Sequence, residues 1–334
     1  MMMVRPASAR DVDGMYRLAR AAGPGLTNLP PDRDALAERI ACSERTLAGA
    51  VAAPGDQQVR LVLEADGALL GVAAIWPRIG QDRPFYSYQL SELSHLSRST
   101  GRRVAHRMLT LVSTLSGASE VGGLLLDPAA RGSGAGKLLA RSRYLFIARH
   151  RALFADRVVA ELRGYQDAEG RSPFWEAVGR PFYDLDFEEA DRLSGIPDHP
   201  IIEELGPKYP LYVNMLPRAA RDAINRPHDQ GCAALAMLRA EGFSFGNFID
   251  IFDAGPTVVC DTAQIRSIAG ARAVTLEAGR PGDGAPAHLV AAGAQADFRC
   301  TILPVDPTGA VARIDGAALA GLGGAQAEAH ALPL

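Results

Sequence analysis

The stretch that decides the fold reads Glu120-Val-Gly-Gly-Leu-Leu-Leu-Asp127, Pro128-Ala-Ala-Arg131-Gly-Ser-Gly-Ala-Gly136, then Lys137-Leu-Leu-Ala-Arg-Ser-Arg-Tyr-Leu-Phe-Ile-Ala148. The first piece is a short apolar run bounded by turn residues, as a buried strand requires. The last places Leu138, Leu139, Ser142, Leu145 and Phe146 along one helical stripe. Between them Arg131, Gly132, Gly134, Ala135, Gly136 and Lys137 fit Arg-x-x-Gly-x-Gly. Glycines there let a backbone approach closely, and the helix start adds converging N–H groups and partial positive charge. That is an anion cradle. A dinucleotide fingerprint fails, because Gly134-Ala-Gly-Lys-Leu-Leu lacks its third glycine, and no Gly-Lys-Ser/Thr run follows Gly132. The competing reading is a flexible turn that holds nothing.

Working outward, Ser8 and Asp11 form a capping box ahead of a helix with Val12, Met15, Ala19 and Ala22 on one face, ended by Gly23-Pro-Gly25. A second helix starts at Pro31-Asp32. Asp66-Gly67 between two β-prone runs predicts a hairpin. Residues 77–118 read poorly, with strands near Phe85–Gln89 and Met108–Ser113 and a loop between. Val158–Leu162 is a further strand, and Ser172-Pro173 opens a short helix. Residues 232–241 read as a helix, and Phe248-Ile-Asp-Ile-Phe252 alternates as a strand. Beyond 257 the chain is rich in Gly, Pro and Ala among short β-like runs. These elements imply an α/β chain in three parts: 1–165 holding the cradle, 166–256 completing the site, and a small β-rich subdomain at 257–334.

Composition sets bounds on function. The 334 residues carry 35 basic and 38 acidic groups, a net charge of −3, which excludes the strongly basic footprint of a general nucleic-acid binder. No apolar run reaches the ~20 residues of a membrane helix, and the start lacks the apolar core of a signal peptide. Cys42, Cys232, Cys260 and Cys300 show no zinc-like spacing, so no metal site is expected. A cytoplasmic protein with reduced thiols is the simplest expectation.

In its spacing and setting the cradle resembles the pyrophosphate loop of the GCN5-related N-acetyltransferase (GNAT) fold, whose ligand is an acyl-coenzyme A. The resemblance narrows with Val4-Arg-Pro6, Gly25-Leu-Thr-Asn-Leu-Pro30, Pro84-Phe-Tyr-Ser-Tyr88, Leu124-Leu-Leu-Asp-Pro128, Ser172-Pro-Phe-Trp175, Glu241-Gly-Phe243 and Ile249-Asp-Ile-Phe-Asp253, followed by Gly255-Pro-Thr257. Together they resemble the arginine N-succinyltransferase family, from the N-terminus to about residue 300. The sequence departs from that family at Gln89, at Ser94-His95-Leu-Ser97, at Ser113-Thr114 and Ser116-Gly117, at Ala135 within the loop, and beyond Gly309.

The resemblance implies a GNAT-type fold with an elaborated second half. It implies succinyl transfer from succinyl-CoA, a co-substrate rather than a permanently bound cofactor, to the α-amine of L-arginine. Alternatives are a related N-acyltransferase using ornithine, another amine or acetyl-CoA, or a non-catalytic partner subunit. A homo-oligomer, or a hetero-oligomer with a paralogous subunit, is implied as well. Leu124 matches a position that contacts succinyl-CoA, through its backbone and apolar surface. His228 matches a proton donor; imidazole suits that task near neutrality, while a pre-helix histidine read alone is a cap. His95 lies on a matched position in a divergent stretch. Glu161, Asp250 and Asp253 are carboxylates that suit a guanidinium, though the two aspartates read first as strand-end or turn residues that cap backbone. Arg163 suits a carboxylate, or a structural ion pair.

Overall fold

The structure, a computed structural model, describes residues 1–22, 29–49, 57–194, 200–305 and 307–334. The matched segment at 25–30 therefore lies mostly outside the described residues. In chain order the first elements are β1 (Met3–Pro6), α1 (Val12–Ala22), α2 (Arg33–Leu47), β2 (Val59–Ala65), β3 (Ala68–Trp76), β4 (Ser87–Leu96) and β5 (Arg103–Val112). Then come β6 (Ser119–Leu126), α3 (Ala135–Arg149), β7 (Arg157–Glu161), α4 (Arg180–Tyr183), α5 (Phe187–Ser194), α6 (Ile201–Leu205), β8 (Leu211–Tyr212) and α7 (Arg218–Ala223). The remainder is α8 (Cys232–Ala240), β9 (Ser244–Ile249), β10 (Pro256–Asp261), α9 (Arg266–Ala269), β11 (Arg272–Ala278), β12 (Ala287–Ala292), β13 (Arg299–Pro304), β14 (Pro307–Thr308), β15 (Val311–Ile314), α10 (Gly316–Gly321) and β16 (Glu328–Pro333). The α/β class expected from the sequence is borne out.

These elements form two compact units. The first holds Met1–Asp82, Ala118–Val158 and Asp261–Leu334; the second holds Arg83–Gly117 and Val159–Cys260. This differs from the three-part division at 165 and 256, and strand pairing supplies the reason. β13 lies antiparallel to β1 with Val4 opposite Cys300, so the C-terminal strands extend the N-terminal sheet instead of standing apart. Residues 83–117 leave the first unit because β4 pairs with β9.

In the first unit the strand order is β14-β15-β11-β16-β12-β13-β1-β2-β3-β6. Asp66 and Gly67, with φ of 50° and 79°, close the β2–β3 hairpin as the Asp-Gly pair requires. At the first helix start, the Asp11 carboxylate accepts the Ser8 N–H at 2.8 Å and a bidentate pair of bonds from the Arg5 guanidinium, both 2.8 Å. The apolar faces of α1 and α2 close over Val62, Leu69 and Val72. A second cluster, including Leu276, Val290, Leu303 and Leu319, fills the C-terminal part.

In the second unit the order is β7-β10-β9-β4-β5-β8. Two expectations are corrected here. The predicted loop between short strands near 85–89 and 108–113 is instead the outer half of one long hairpin, Ser87–Leu96 against Arg103–Val112. Its outer residues are solvent-exposed, so polar side chains hid the alternation. The strand predicted at Phe248–Phe252 ends at Ile249, because the Asp250 carboxylate accepts the Phe252 and Asp253 N–H groups at 2.7 and 2.9 Å and turns the chain. The short helix opened by Pro173 contains a π turn, Trp175–Gly179. A Cβ on Gly179 would lie 2.0 Å from the Trp175 ring, so only glycine admits that indole. Trp175 is fully buried, among Phe174, Tyr183, Phe187 and Phe252.

Candidate active site

The first unit carries β6, the glycine loop and α3. Val72 pairs with Leu125 and Ala74 with Gly122, so Gly123 and Leu124 together oppose Ala73 alone. This is a bulge, and Gly123 supplies the positive φ, 55°, that it needs. A bulge takes its extra residue out of the ladder and re-aims the neighbouring backbone. Leu124 sits at that break and is half-buried rather than core.

The loop after β6 is fixed at its entrance. The Asp127 carboxylate accepts the Ala129 N–H at 3.0 Å and pairs with Arg17 at 2.9 Å, which holds its pKa below the ordinary carboxylate value. Ser133 Oγ donates to the Ala130 carbonyl at 2.7 Å. Gly132 and Gly134 have φ of 81° and 86°, and a Cβ on either would meet no atom within 4 Å. The glycines are there for backbone conformation, and the space above them is open. Arg131 and Lys137 are exposed, whereas Ala135 is buried as α3 begins. The strand, glycine loop and helix expected of a GNAT-type unit are all present.

Sequence reasoning missed Glu120, at the start of β6. It lies opposite Trp76, on the face of the sheet that also carries Arg60, and Arg60 stacks 5.1 Å from the Trp76 ring. Burial raises the Glu120 carboxyl to about 7 against the opposing pull of Arg60. The available signal was a charged residue opening an otherwise apolar strand.

The second unit gathers most of the predicted polar residues. Glu161 ends β7, and its Oε1 accepts the Thr257 hydroxyl at 3.1 Å. Leu162 N–H donates to the Pro256 carbonyl, and a bridge between Gly164 and Pro227 continues the chain beyond β7. Across that bridge the His228 N–H donates to the Arg163 carbonyl at 2.8 Å, setting the two residues opposite one another. The Arg163 guanidinium donates to Gln166.

His228 Nδ1 accepts the Gln230 N–H at 3.2 Å, so the histidine caps a 3-10 turn ahead of α8. Nδ1 being an acceptor, the neutral ring carries its proton on Nε2. Burial, and then the Arg163 charge, hold its pKa below the ordinary histidine value.

Asp253 is buried, and its oxygens accept the Gly164 and Gly255 N–H groups at 2.7 and 2.9 Å. Burial, followed by the neighbouring Asp250, raises its pKa well above that of a free carboxylate; burial raises Asp250 also. Both aspartates thus hold the 250–255 turn together. His95 is not brought to this group. It stands on the exposed part of β4, six residues beyond Gln89 and so ~20 Å along the strand, with its ring 6.0 Å from that of His106.

With this geometry in place, comparison with known proteins becomes specific. The family described as "AstA: Arginine N-succinyltransferase beta subunit" matches residues 2–267. The chain belongs to the arginine N-succinyltransferase family. It is therefore an acyltransferase. It is 41% identical over 304 residues to the arginine N-succinyltransferase subunit beta of Pseudomonas aeruginosa strain PAO1, covering 91% of this chain and 89% of that one. The arginine N-succinyltransferase of Enterobacter sp. strain 638 is 39% identical over 310 residues, covering 92% and 90%. Among solved structures, the arginine/ornithine succinyltransferase subunit AI from Pseudomonas aeruginosa superposes with a TM-score of 0.88 at 37% identity, over 100% of this chain and 98% of that one. Among the described residues, no helix is long and apolar enough to cross a membrane.

Proposed function

We propose that this chain transfers the succinyl group of succinyl-CoA to the α-amine of L-arginine, giving N2-succinylarginine and free coenzyme A. The observation that carries the reading is the β6 bulge at Gly123–Leu124, followed eight residues later by open, positive-φ glycines at the start of α3. The loop and helix start suit a pyrophosphate, and the bulge offers backbone to a thioester oxygen.

In the transfer the amine lone pair attacks the thioester carbonyl and a C–N bond forms. The C–S bond then breaks, and the proton that the amine nitrogen loses ends on the departing sulfur, so that coenzyme A leaves as the thiol. A bulge N–H near Leu124 would polarise the carbonyl as an oxyanion contact. His228, neutral and protonated at Nε2, would give its hydrogen bond to the departing sulfur. Glu161 and Arg163 supply opposite charges for the α-ammonium and α-carboxylate of an amino acid. Ornithine is the second reading, favoured because a solved relative is named for both arginine and ornithine.

The test is a donor panel. Succinyl-CoA should exceed acetyl-CoA in kcat/KM by about tenfold or more, because its terminal carboxylate offers a charge-assisted contact of ~1.5–3 kcal/mol. Equal efficiency would move the assignment to a general N-acyltransferase. No thiol release with any donor would overturn it.

A further inference from the structure

A cavity of about 460 Å³ opens in the first unit between α1, the β2–β3 turn and Asp127, the residue that leads from β6 into the glycine loop. Arg10, Gly14 and Arg17 line it from the helix side. Their spacings of four and three residues set them on one side of a helix. The middle position has no side chain. A Cβ there would lie 3.1 Å from that of Leu69, so glycine admits β3 as the cavity floor between the two arginines.

The charges that face this cavity are unequal in reach. The Arg10 and Arg17 side chains are 69% and 55% exposed, those of Asp127 and Asp11 20% and 6%. Asp11 is already held by the Arg5 guanidinium and the Ser8 N–H. Arg10 makes no hydrogen bond among the described residues. The carboxylate beside it, Glu64 at 3.8 Å, is itself bonded by Arg5 at 2.6 Å. In the neighbouring turn, Asp66 stands 3.5 Å from the N-terminal ammonium. Arg17 gives one N–H to Asp127 at 2.9 Å and one to the Leu69 carbonyl at 2.6 Å, and keeps three more. Two guanidiniums with donors to offer therefore stand at the mouth, over carboxylates that already have partners.

We propose that this cavity is a second anion site, separate from the glycine loop, which takes a small dicarboxylate and loosens the loop's hold on coenzyme A through Arg17. The coupling rests on the acyl-CoA reading of the loop; the site itself does not. The volume falls within the ~300–1,000 Å³ of small-molecule sites. Two guanidiniums seven residues, about 10 Å, apart along the axis match two carboxylates on a short chain better than one compact anion. Each fork can take a carboxylate through two parallel bonds. Ligand and Asp127 then compete for the same guanidinium. Asp127 fixes the loop entrance, its N–H donating to the Leu70 carbonyl at 2.7 Å and its Oδ1 accepting the Ala129 N–H at 3.0 Å. Drawing Arg17 away leaves that carboxylate without its counter-charge, four residues before Arg131, where it repels a pyrophosphate. The coupling is reciprocal, so coenzyme A weakens the dicarboxylate by the same factor.

The experiment titrates glutarate, at constant ionic strength, into the wild type and Arg10→Ala, with binding read by calorimetry. Glutarate should saturate one site per chain without coenzyme A present, and acetate or inorganic phosphate should bind about tenfold more weakly or worse. Arg10→Ala should weaken glutarate by about tenfold and leave the Kd of coenzyme A unchanged. In the wild type, saturating glutarate should raise the Kd of coenzyme A about fivefold or more and then no further. Glutarate that does not bind, or that binds both chains equally, overturns the site. Phosphate binding as tightly as glutarate overturns the dicarboxylate class. Bound glutarate with an unchanged Kd for coenzyme A overturns the coupling. A Kd that climbs without limit does so too, since it puts glutarate on the glycine loop itself. A wild type that binds no coenzyme A fails the acyl-CoA reading instead, and the glutarate titration still decides the site.

Discussion

The His228 ring caps the turn ahead of α8 through Nδ1, and the proton-donor task we propose for it falls to Nε2. Nδ1 is held by the Gln230 N–H, and that bond fixes which nitrogen is protonated. Replacing His228 with Ala should lower kcat by roughly 10²–10⁴-fold and also remove a cap worth about 1 kcal/mol, read by turnover and urea midpoint on the same sample. Normal turnover with a lowered midpoint would leave only the cap. Glu120 predicts a pH effect of definite sign. Its folded pKa is raised, so the folded state binds the proton more tightly than the unfolded state between about 4.5 and about 7. Its share of stability is therefore present at low pH and is lost as pH rises through that window, by roughly 3 kcal/mol at most. Glu120→Gln should gain stability over the wild type at about pH 8 and match it near pH 4.5, by denaturant midpoints. A pH-independent difference would show that Glu120 is ionised throughout. Neither point was legible in the sequence alone: the motif match named His228 but not its tautomer, and burial made Glu120 unusual.

The glycine loop is where sequence and structure agree most closely, because its demands are local. Positive φ at Gly132 and Gly134, and a helix starting at Ala135, follow from residue types at fixed spacing. Gly134→Leu should therefore strain the backbone, costing about 1–2 kcal/mol, while the side chain itself meets open space. Coenzyme A should raise the melting temperature of the wild type and not of this variant; a rise retained in the variant would show that the loop does not hold the ligand. The β4–β5 hairpin was illegible for the opposite reason. Leu93, Leu96 and Val104 are exposed on strands whose other side chains are mostly polar, so no alternation marks a buried face. The Asp250 turn shows a third case. Alternation alone extends a strand to Phe252, and a side chain bonding to backbone two and three residues ahead ends it early.

At the scale of the molecule, what the sequence hid was which segments belong together. A Gly-rich, Ala-rich end reads as an appendage, yet β13 completes the ladder on β1, and the Thr301 hydroxyl donates to the Met2 carbonyl at 2.6 Å. Deleting residues 272–334 should thus yield an insoluble or protease-sensitive chain, judged by limited proteolysis; a soluble, cooperatively melting truncation would restore the appendage view. The β1–β13 pairing also has a consequence for biosynthesis. A ribosome adding about 5–20 residues per second makes β1 first and its partner nearly 300 residues later. For tens of seconds the nascent chain carries one unpaired edge of β1, able to join another chain's strand before its own exists. Slower initiation, which spaces ribosomes along the message, should raise soluble yield more than a lower growth temperature that leaves their spacing unchanged.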